Sequence, residues 1–344
     1  MKRIISIALV FAILICTGCS KKTTTEETKQ SVKIGITMYN EFDVFTEEIL
    51  KNIENDLAEY AKNNDVEIST TVVYSGENQL VQNDQVDDFI DKDYDVVCVN
   101  LVDRTDPSVI IERAKNTSTP IIFFNRELVK DDLKRYDKLY YVGADPAQSG
   151  QLQGELVLEA LNDPEIFEKI DFNHDGVIQY VLLEGEAGHQ DAIVRSRVSV
   201  NTIKNNGYEM EILGDEIANW DRQQAKTKMN SLLEGHPWQI ELILANDDNM
   251  ALGAIDALES YGVKEMPLIV GVNGQQEALE AINDKKMYGT VLNNAEEKGS
   301  IIASMAAGLA LNGSVPDDIE LSDGKYIYVD YEPINQDTVL QYLE

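Results

Sequence analysis

The chain reads as an α/β protein of two doubly wound parallel-sheet domains, and three observations predict this. Short Val- and Ile-rich runs alternate with amphipathic helical stretches, the pattern of parallel strands covered on both faces by crossover helices. The alternation runs in two series that divide near Gly143. The length, 344 residues, is sufficient for two cores of roughly 150 residues each.

In the first series the periodicity predicts strands at Val32–Tyr39, Val66–Tyr74, Asp95–Leu101 and Pro120–Phe124. Helices are predicted at Thr46–Asn63, near Asn78–Asp91 and near Pro107–Lys115. The second series predicts strands at Ile178–Leu183, Met210–Leu213, Ile240–Ala245 and Leu268–Val272, again with helices between them. In this class ligands sit beyond the carboxyl ends of the strands, so the residues that follow each strand are the ones to search.

The composition excludes one function class. With 61 acidic against 29 basic side chains the formal net charge is -32, whereas nucleic-acid binding needs clustered Lys and Arg. Hydrophobic residues at 43% and charged residues at 26% are ordinary for a globular protein. Three cysteines are too few for a disulfide framework. Cys98, in an apolar run, reads as an inert core thiol.

At the amino terminus Met1-Lys2-Arg3 precedes an uncharged apolar run, Ile4 to Ile15, and then Cys16-Thr17-Gly18-Cys19. The run is shorter than the roughly 20 residues a spanning helix needs, so residues 1–18 are expected to be an export signal. Small residues before Cys19 match a bacterial lipobox, with Cys19 as the lipid-bearing residue, although Cys16 stands where that motif usually has Leu. Residues 19–31 are polar and aperiodic and are expected to form a flexible tether. Loss of Lys2 and Arg3 with the signal would take the charge from -32 to -34.

No phosphate-binding motif follows any strand, and no Gly-x-Ser-x-Gly elbow occurs. His174, His189 and His236 have no partner arrangement of a nucleophile and base, so the chain is read as a binding protein and not an enzyme.

One segment carries a specific metal signal. Asp171-Phe172-Asn173-His174-Asp175-Gly176-Val177-Ile178-Gln179 puts side-chain oxygens at positions 1, 3, 5 and 9, glycine at 6 and a backbone carbonyl at 7. That is the spacing with which an EF-hand loop wraps Ca²⁺. Leu182 stands at position 12 in place of the bidentate Glu, and a strand follows instead of a helix. Either a carboxylate from elsewhere completes the shell, or the segment is an Asp- and Asn-rich turn.

Several motifs together resemble the galactose/glucose-binding proteins of bacterial sugar ABC transporters. They are Ile34-Gly-Ile-Thr-Met-Tyr39, Asn100-Leu-Val-Asp103, Phe123-Phe-Asn125-Arg-Glu127, Tyr140-Tyr-Val-Gly143, Val181-Leu-Leu-Glu-Gly-Glu-Ala-Gly-His189-Gln-Asp191 and Gly289-Thr-Val-Leu-Asn293. The resemblance runs from about Val32 to the end of the chain. It implies the periplasmic-binding-protein type I fold, two α/β domains joined by three hinge segments that close on one pyranose. The implied domains are 32–143 plus 294–329, and 144–293 plus 330–344. Hinges are implied near Gly143–Asp145, Asn293–Asn294 and Val329–Tyr331.

The resemblance assigns Ca²⁺ ligands to Asp171, Asn173, Asp175, the Val177 carbonyl, Gln179 and Glu241, a closed structural site. It assigns sugar contacts to Asp43, Phe45, Asn125, His189, Asp191, Arg195, Trp220, Asp247, Asn273 and Asn293. The chemistry suits a sugar: carboxylates, amides and a guanidinium answer hydroxyls, and Phe45 and Trp220 suit the apolar ring faces. Taken singly each has a plainer reading, Asp43 as the cap of the helix starting near Thr46, the aromatics as core.

The family commonly has Asn where this chain has Asp247 and Asp where it has Asn273, an exchange that either preserves glucose and galactose binding or shifts the preference to a pentose or another hexose. The implied partners are a monosaccharide and a membrane permease, with a chemoreceptor or sensor kinase as the alternative recipient. The protein is expected to be a monomer held at the outer face of the cell membrane by lipid alone. A glycosidase would need a carboxylate pair across a glycosidic bond, a role for which Asp43, Asp191 and Asp247 qualify only formally.

Overall fold

A computed structural model describes residues 29–236 and 238–343. Cys19, the export signal and most of the tether expected from the sequence lie outside the described residues. The first strands and helices are β1 (Ser31–Met38), α1 (Val44–Asn64), β2 (Glu67–Tyr74), α2 (Gln79–Asp91), β3 (Val96–Val99), α3 (Ser108–Thr117), β4 (Ile121–Phe124), α4 (Lys130–Leu133) and β5 (Leu139–Gly143). There follow α5 (Pro146–Asn162), α6 (Pro164–Ile170), β6 (Val177–Glu184), α7 (Gln190–Asn205), β7 (Glu209–Ile217), α8 (Arg222–Gly235), β8 (Leu242–Ala245), α9 (Asp248–Tyr261), β9 (Leu268–Val270) and α10 (Gln276–Asn283). The chain ends with β10 (Gly289–Asn293), α11 (Ala295–Asn312), β11 (Tyr326–Tyr328) and β12 (Tyr331–Asn335).

Among the described residues the strands form two six-stranded sheets, ordered β11-β5-β4-β3-β1-β2 and β12-β10-β9-β8-β6-β7. The named strands pair in parallel except for β12, which runs antiparallel to β10 from Asn293↔Tyr331 to Gly289↔Asn335. The central strands of the first sheet bury both faces. Val96 and Cys98 pack with α1 and α11, while Val97 and Val99 pack with α2 and α3. In the second sheet Val181 and Leu183 face α8 and α9, and Tyr180 and Leu182 face α5 and α7. Cys98 is completely buried, and burial pushes its thiol up to about 12, so it is a core residue without thiolate reactivity.

The helices fit where small residues let them. An added Cβ on Gly150 would lie 2.7 Å from the Arg195 carbonyl oxygen, and one on Gly154 would lie 2.7 Å from Thr202 Cβ. Those glycines therefore bring α5 against α7 at close range, holding Arg195 where it is needed.

Four strands escaped the apolar-run criterion. β5 and β10 appear in the sequence only as parts of motifs, and β11 and β12 are sheet edges that carry Tyr, Glu and Pro in place of Val and Ile runs. Strand β7 is much longer than the predicted Met210–Leu213. As an edge strand it is half exposed and alternates acidic with apolar residues, which dilutes the signal.

The chain passes between the lobes three times, after β5, after β10, and between Tyr328 and Tyr331. Consequently the carboxyl ends of both sheets face one another across a cleft. No helix among the described residues is long and apolar enough to cross a membrane.

Candidate functional site

The cleft holds a pocket lined by Asp43, Phe45, Asn125, Arg126, His189, Asp191, Arg195, Trp220, Asp247, Asn273 and Asn293. All ten residues nominated from the sequence as sugar contacts line it, and Arg126 joins them.

The first lobe contributes the residues after β1 and β4. Asp43 does cap α1, accepting from the Thr46 amide at 3.1 Å, and it also accepts from the Tyr39 hydroxyl at 2.5 Å. The two readings of Asp43 are therefore compatible, because it caps α1 through Oδ1 and also lines the pocket. Asn125 sits in the left-handed region at φ 64, and its carbonyl accepts from the Tyr141 hydroxyl at 2.9 Å. Arg126, 8% exposed, lies over the Tyr39 ring with its guanidinium carbon 3.7 Å from the centroid. Its Nη2 donates to Glu186 Oε1 at 2.7 Å, an ion pair from one lobe to the other, and its buried Nε–H has no partner.

The second lobe supplies the remainder. His189 caps α7 through Nδ1, which accepts from the Asp191 amide at 3.2 Å. Burial, followed by the Arg126 and Arg195 charges, holds its pKa well below the usual histidine value, so the ring is neutral and its hydrogen is assigned to Nε2. Its edge meets the Trp220 ring at 5.1 Å between centroids and 80° between planes.

Arg195 is 4% exposed. It donates from Nε to Ser149 Oγ at 2.8 Å, from Nη1 to the Asn246 carbonyl at 2.6 Å, and from Nη2 to the Tyr331 hydroxyl at 3.3 Å. Burial raises the pKa of Asp191, with Arg195 and Lys298 opposing it, and raises that of Asp247 well above the usual carboxylate range. Asp247 caps α9 through the Met250 amide at 2.9 Å. Its neighbour Asp248 is occupied inside the protein by the Gln275 amide at 2.8 Å and the Thr290 hydroxyl at 2.6 Å, and burial pushes it up to about 6.

Trp220 rests directly on Gly185, where an added Cβ would lie 2.0 Å from Trp220 Cζ2. A methyl group there must displace the indole. Gly185→Ala is expected to weaken sugar binding about tenfold or more while leaving the fold intact, measured by calorimetry alongside circular dichroism.

Three participants were not nominated from the sequence. Arg126 sits beside Asn125 in a quoted motif, a signal that adjacency alone could have raised. Glu186 lies in a quoted motif also, but its partner stands 60 positions away. Lys298 reads as an ordinary helical lysine, yet it is 2% exposed. Burial pulls its amine down to about 7, with Asp191 opposing.

The Asp- and Asn-rich loop is organised from outside itself by Glu241. Its Oε1 accepts from the Phe172 amide at 2.7 Å and its Oε2 from the Gln179 amide at 3.0 Å. Asp171 accepts from the Asp175 and Gly176 amides at 3.1 Å each. Asn173 Nδ2 donates to Asp175 at 2.9 Å and Gln179 Nε2 donates to the same carboxylate at 3.2 Å. Burial and then the Asp171 and Asp175 charges raise the pKa of Glu241. Among the described residues no group of three or more His, Cys, Asp or Glu side chains is arranged to hold a metal ion. A cation here needs the amide oxygens of Asn173 and Gln179 and the Val177 carbonyl as well. Crowded carboxylates and an all-oxygen donor set fit a hard divalent cation in their chemistry.

Residues 34–314 match the periplasmic binding protein domain family. The chain is 33% identical over 315 residues to the D-galactose/methyl-galactoside binding periplasmic protein MglB of Haemophilus influenzae, covering 91% of this chain and 92% of that one. It is 25% identical to the ribose import binding protein RbsB of Bacillus subtilis, over 91% of this chain and 94% of that one. Among solved structures, an ABC transporter solute binding protein from Bacillus halodurans with bound myo-inositol superposes with a TM-score of 0.76 at 26% identity, covering 92% of this chain and 99% of the other. The chain belongs to the periplasmic binding protein domain family, a family of solute-binding proteins and not of enzymes.

Proposed function

We propose that the cleft binds a single hexose, D-glucose or D-galactose, and that closure of the lobes around it presents the loaded protein to an ABC transporter permease. The observation that carries this reading is the lining of the cavity. Phe45 comes from one lobe and Trp220 from the other, with carboxylates, amides and Arg195 between them. Aromatic faces match the apolar C–H faces of a pyranose, and the polar rim matches its hydroxyls. A site fed by both lobes stabilises the closed form by every contact that the open form lacks, which is the difference a permease can read. The Arg126–Glu186 pair adds to the closed form in the same way.

The relatives differ in the solute their names give, D-galactose in one and ribose in another. The choice of hexose therefore rests on this chain's own residues, Asp247 and Asn273 foremost. In this reading the two have exchanged acceptor and donor roles while facing the same side of the sugar. The Asp171–Gln179 loop with Glu241 holds a structural Ca²⁺, and lipid on Cys19 keeps the exported protein at the membrane surface.

Calorimetry with D-glucose, D-galactose, D-xylose and D-ribose tests the assignment. The wild type is expected to prefer the hexoses, and the Asp247→Asn/Asn273→Asp double variant to keep the same rank order. Preference for a pentose would overturn the hexose assignment, and a changed order in the double variant would overturn the exchange.

A further inference from the structure

Lys298 occupies a position that stability alone does not explain. It lies in the first turns of α11, where the helix dipole disfavours a cation, and it is 2% exposed. A methionine of similar length would pack there without the cost of burying an amine. Its Nζ stands 5.2 Å from the centroid of the Phe45 ring and 5.7 Å from that of Tyr331. These rings belong to opposite lobes, so the amine lies on the seam beneath the cleft.

From that seam the amine donates to Asn293 Oδ1. Asn293 Nδ2 in turn donates to Asn273 Oδ1 at 3.2 Å. An amide side chain has an oxygen end and a nitrogen end of nearly equal shape, and only its partners decide which end points where. In its charged form, which prevails below about pH 7, the amine has three donors and no acceptor, so it pairs only with the oxygen end of Asn293. The nitrogen end then faces Asn273, which must answer with its own oxygen. What remains of Asn273 for the cavity is an N–H donor.

We propose that Lys298 is a positioning residue of the cleft, whose ammonium sets the amide polarity of Asn293 and through it of Asn273. The inference rests on the monosaccharide reading of the same cavity and names what that reading leaves open, how the polarity of its amides is chosen. Asn273 and Asp247 line one cavity. A hydroxyl between them accepts from Asn273 and donates to Asp247. A fluorine at that carbon accepts but cannot donate, and a deoxy position does neither.

The test compares full-length wild type with Lys298→Met, which keeps volume but removes the donor, and Lys298→Gln, which keeps a donor to Asn293 Oδ1. D-Galactose, D-glucose and their monodeoxy and monofluoro analogues are titrated into each by calorimetry. Lys298→Met is expected to lose about tenfold in affinity for the parent sugar and to reorder the analogues. Lys298→Gln is expected to keep the wild-type order. Wild-type affinity and order in Lys298→Met would overturn the proposal, and so would an equal change in Lys298→Gln, which would make the site one of packing. Lys298→Leu gives the same comparison should the methionine variant fail to fold.

If the wild type binds none of these sugars, the functional reading falls, and the side-chain amide resonances of Asn273 and Asn293 decide the positioning role by themselves. They are expected to move in Lys298→Met and to stay in Lys298→Gln. Resonances unmoved in both variants would overturn it.

Discussion

Arg195→Leu is expected to lower monosaccharide affinity by at least about 10²-fold, the largest loss of any single substitution in the cleft. The guanidinium has three protein partners, Ser149, the Asn246 carbonyl and Tyr331, and all three lose its donor in a buried place on its removal, although Ser149 keeps its bond to the Pro146 carbonyl. It also counters the burial that raises the pKa of Asp191 and Asp247. Without it both carboxyls take up protons more readily and lose acceptor strength toward a hydroxyl. A hydrogen bond from a charged group contributes about 1.5–3 kcal/mol, and about 2.7 kcal/mol is a hundredfold in affinity. Arg195→Lys should fall between the two, because a lysine keeps the charge but cannot reproduce the fork that reaches Ser149, Asn246 and Tyr331. Calorimetry on the three proteins, with unfolding midpoints recorded beside it, provides the check. Binding within threefold of wild type in Arg195→Leu would remove Arg195 from the site.

Chelation of calcium is expected to lower the midpoint of thermal unfolding by about 5–10 °C, the second large effect. A ligand present at about a hundred times its dissociation constant stabilises by about 2.7 kcal/mol, and each kcal/mol moves the midpoint of a domain of this size by about 2–4 °C. The loop has the chemistry for it. Asp171, Asp175 and Glu241 crowd negative charge, and burial with the two aspartates raises the pKa of Glu241, a repulsion that a divalent cation relieves. Calcium should restore the midpoint and magnesium should not, since the smaller ion gives up its water reluctantly. Glu241→Ala should lower the midpoint even in calcium, because the Phe172 and Gln179 amides lose their acceptor. It should also make the protein indifferent to chelator. A wild type whose midpoint ignores chelator and added calcium alike would leave the loop as a turn held by its own hydrogen bonds.

The extent to which the molecule was legible in its sequence follows from where each signal resides. Central strands such as β3, β4 and β8 are buried on both faces, so they are written as uninterrupted apolar runs and could be read directly. Edge strands β7, β11 and β12 have one neighbour and a solvated side, so their residues are mixed and the runs disappear. The cleft residues were named through the family resemblance, and Asp43, Asn125, Asp247, Asn273 and Asn293 stand after strand ends or at the helix cap beyond, where this architecture places its binding groups. Arg126 was overlooked in spite of its adjacency, because nothing local distinguishes a cleft arginine from a surface one.

By itself, then, the sequence determined the doubly wound architecture, the turn-forming oxygen pattern of residues 171–179 and the kinds of side chain that stand after the strands. All of these depend on neighbours close in the chain. The tertiary structure alone decided the Arg126–Glu186 contact between the lobes, the ring nitrogen that His189 leaves free, the two backbone amides from which Glu241 accepts, and the direction of the Lys298–Asn293–Asn273 hydrogen bonds. Hydrogen-bond direction and burial are properties of surroundings, and these surroundings are assembled from segments far apart in the chain.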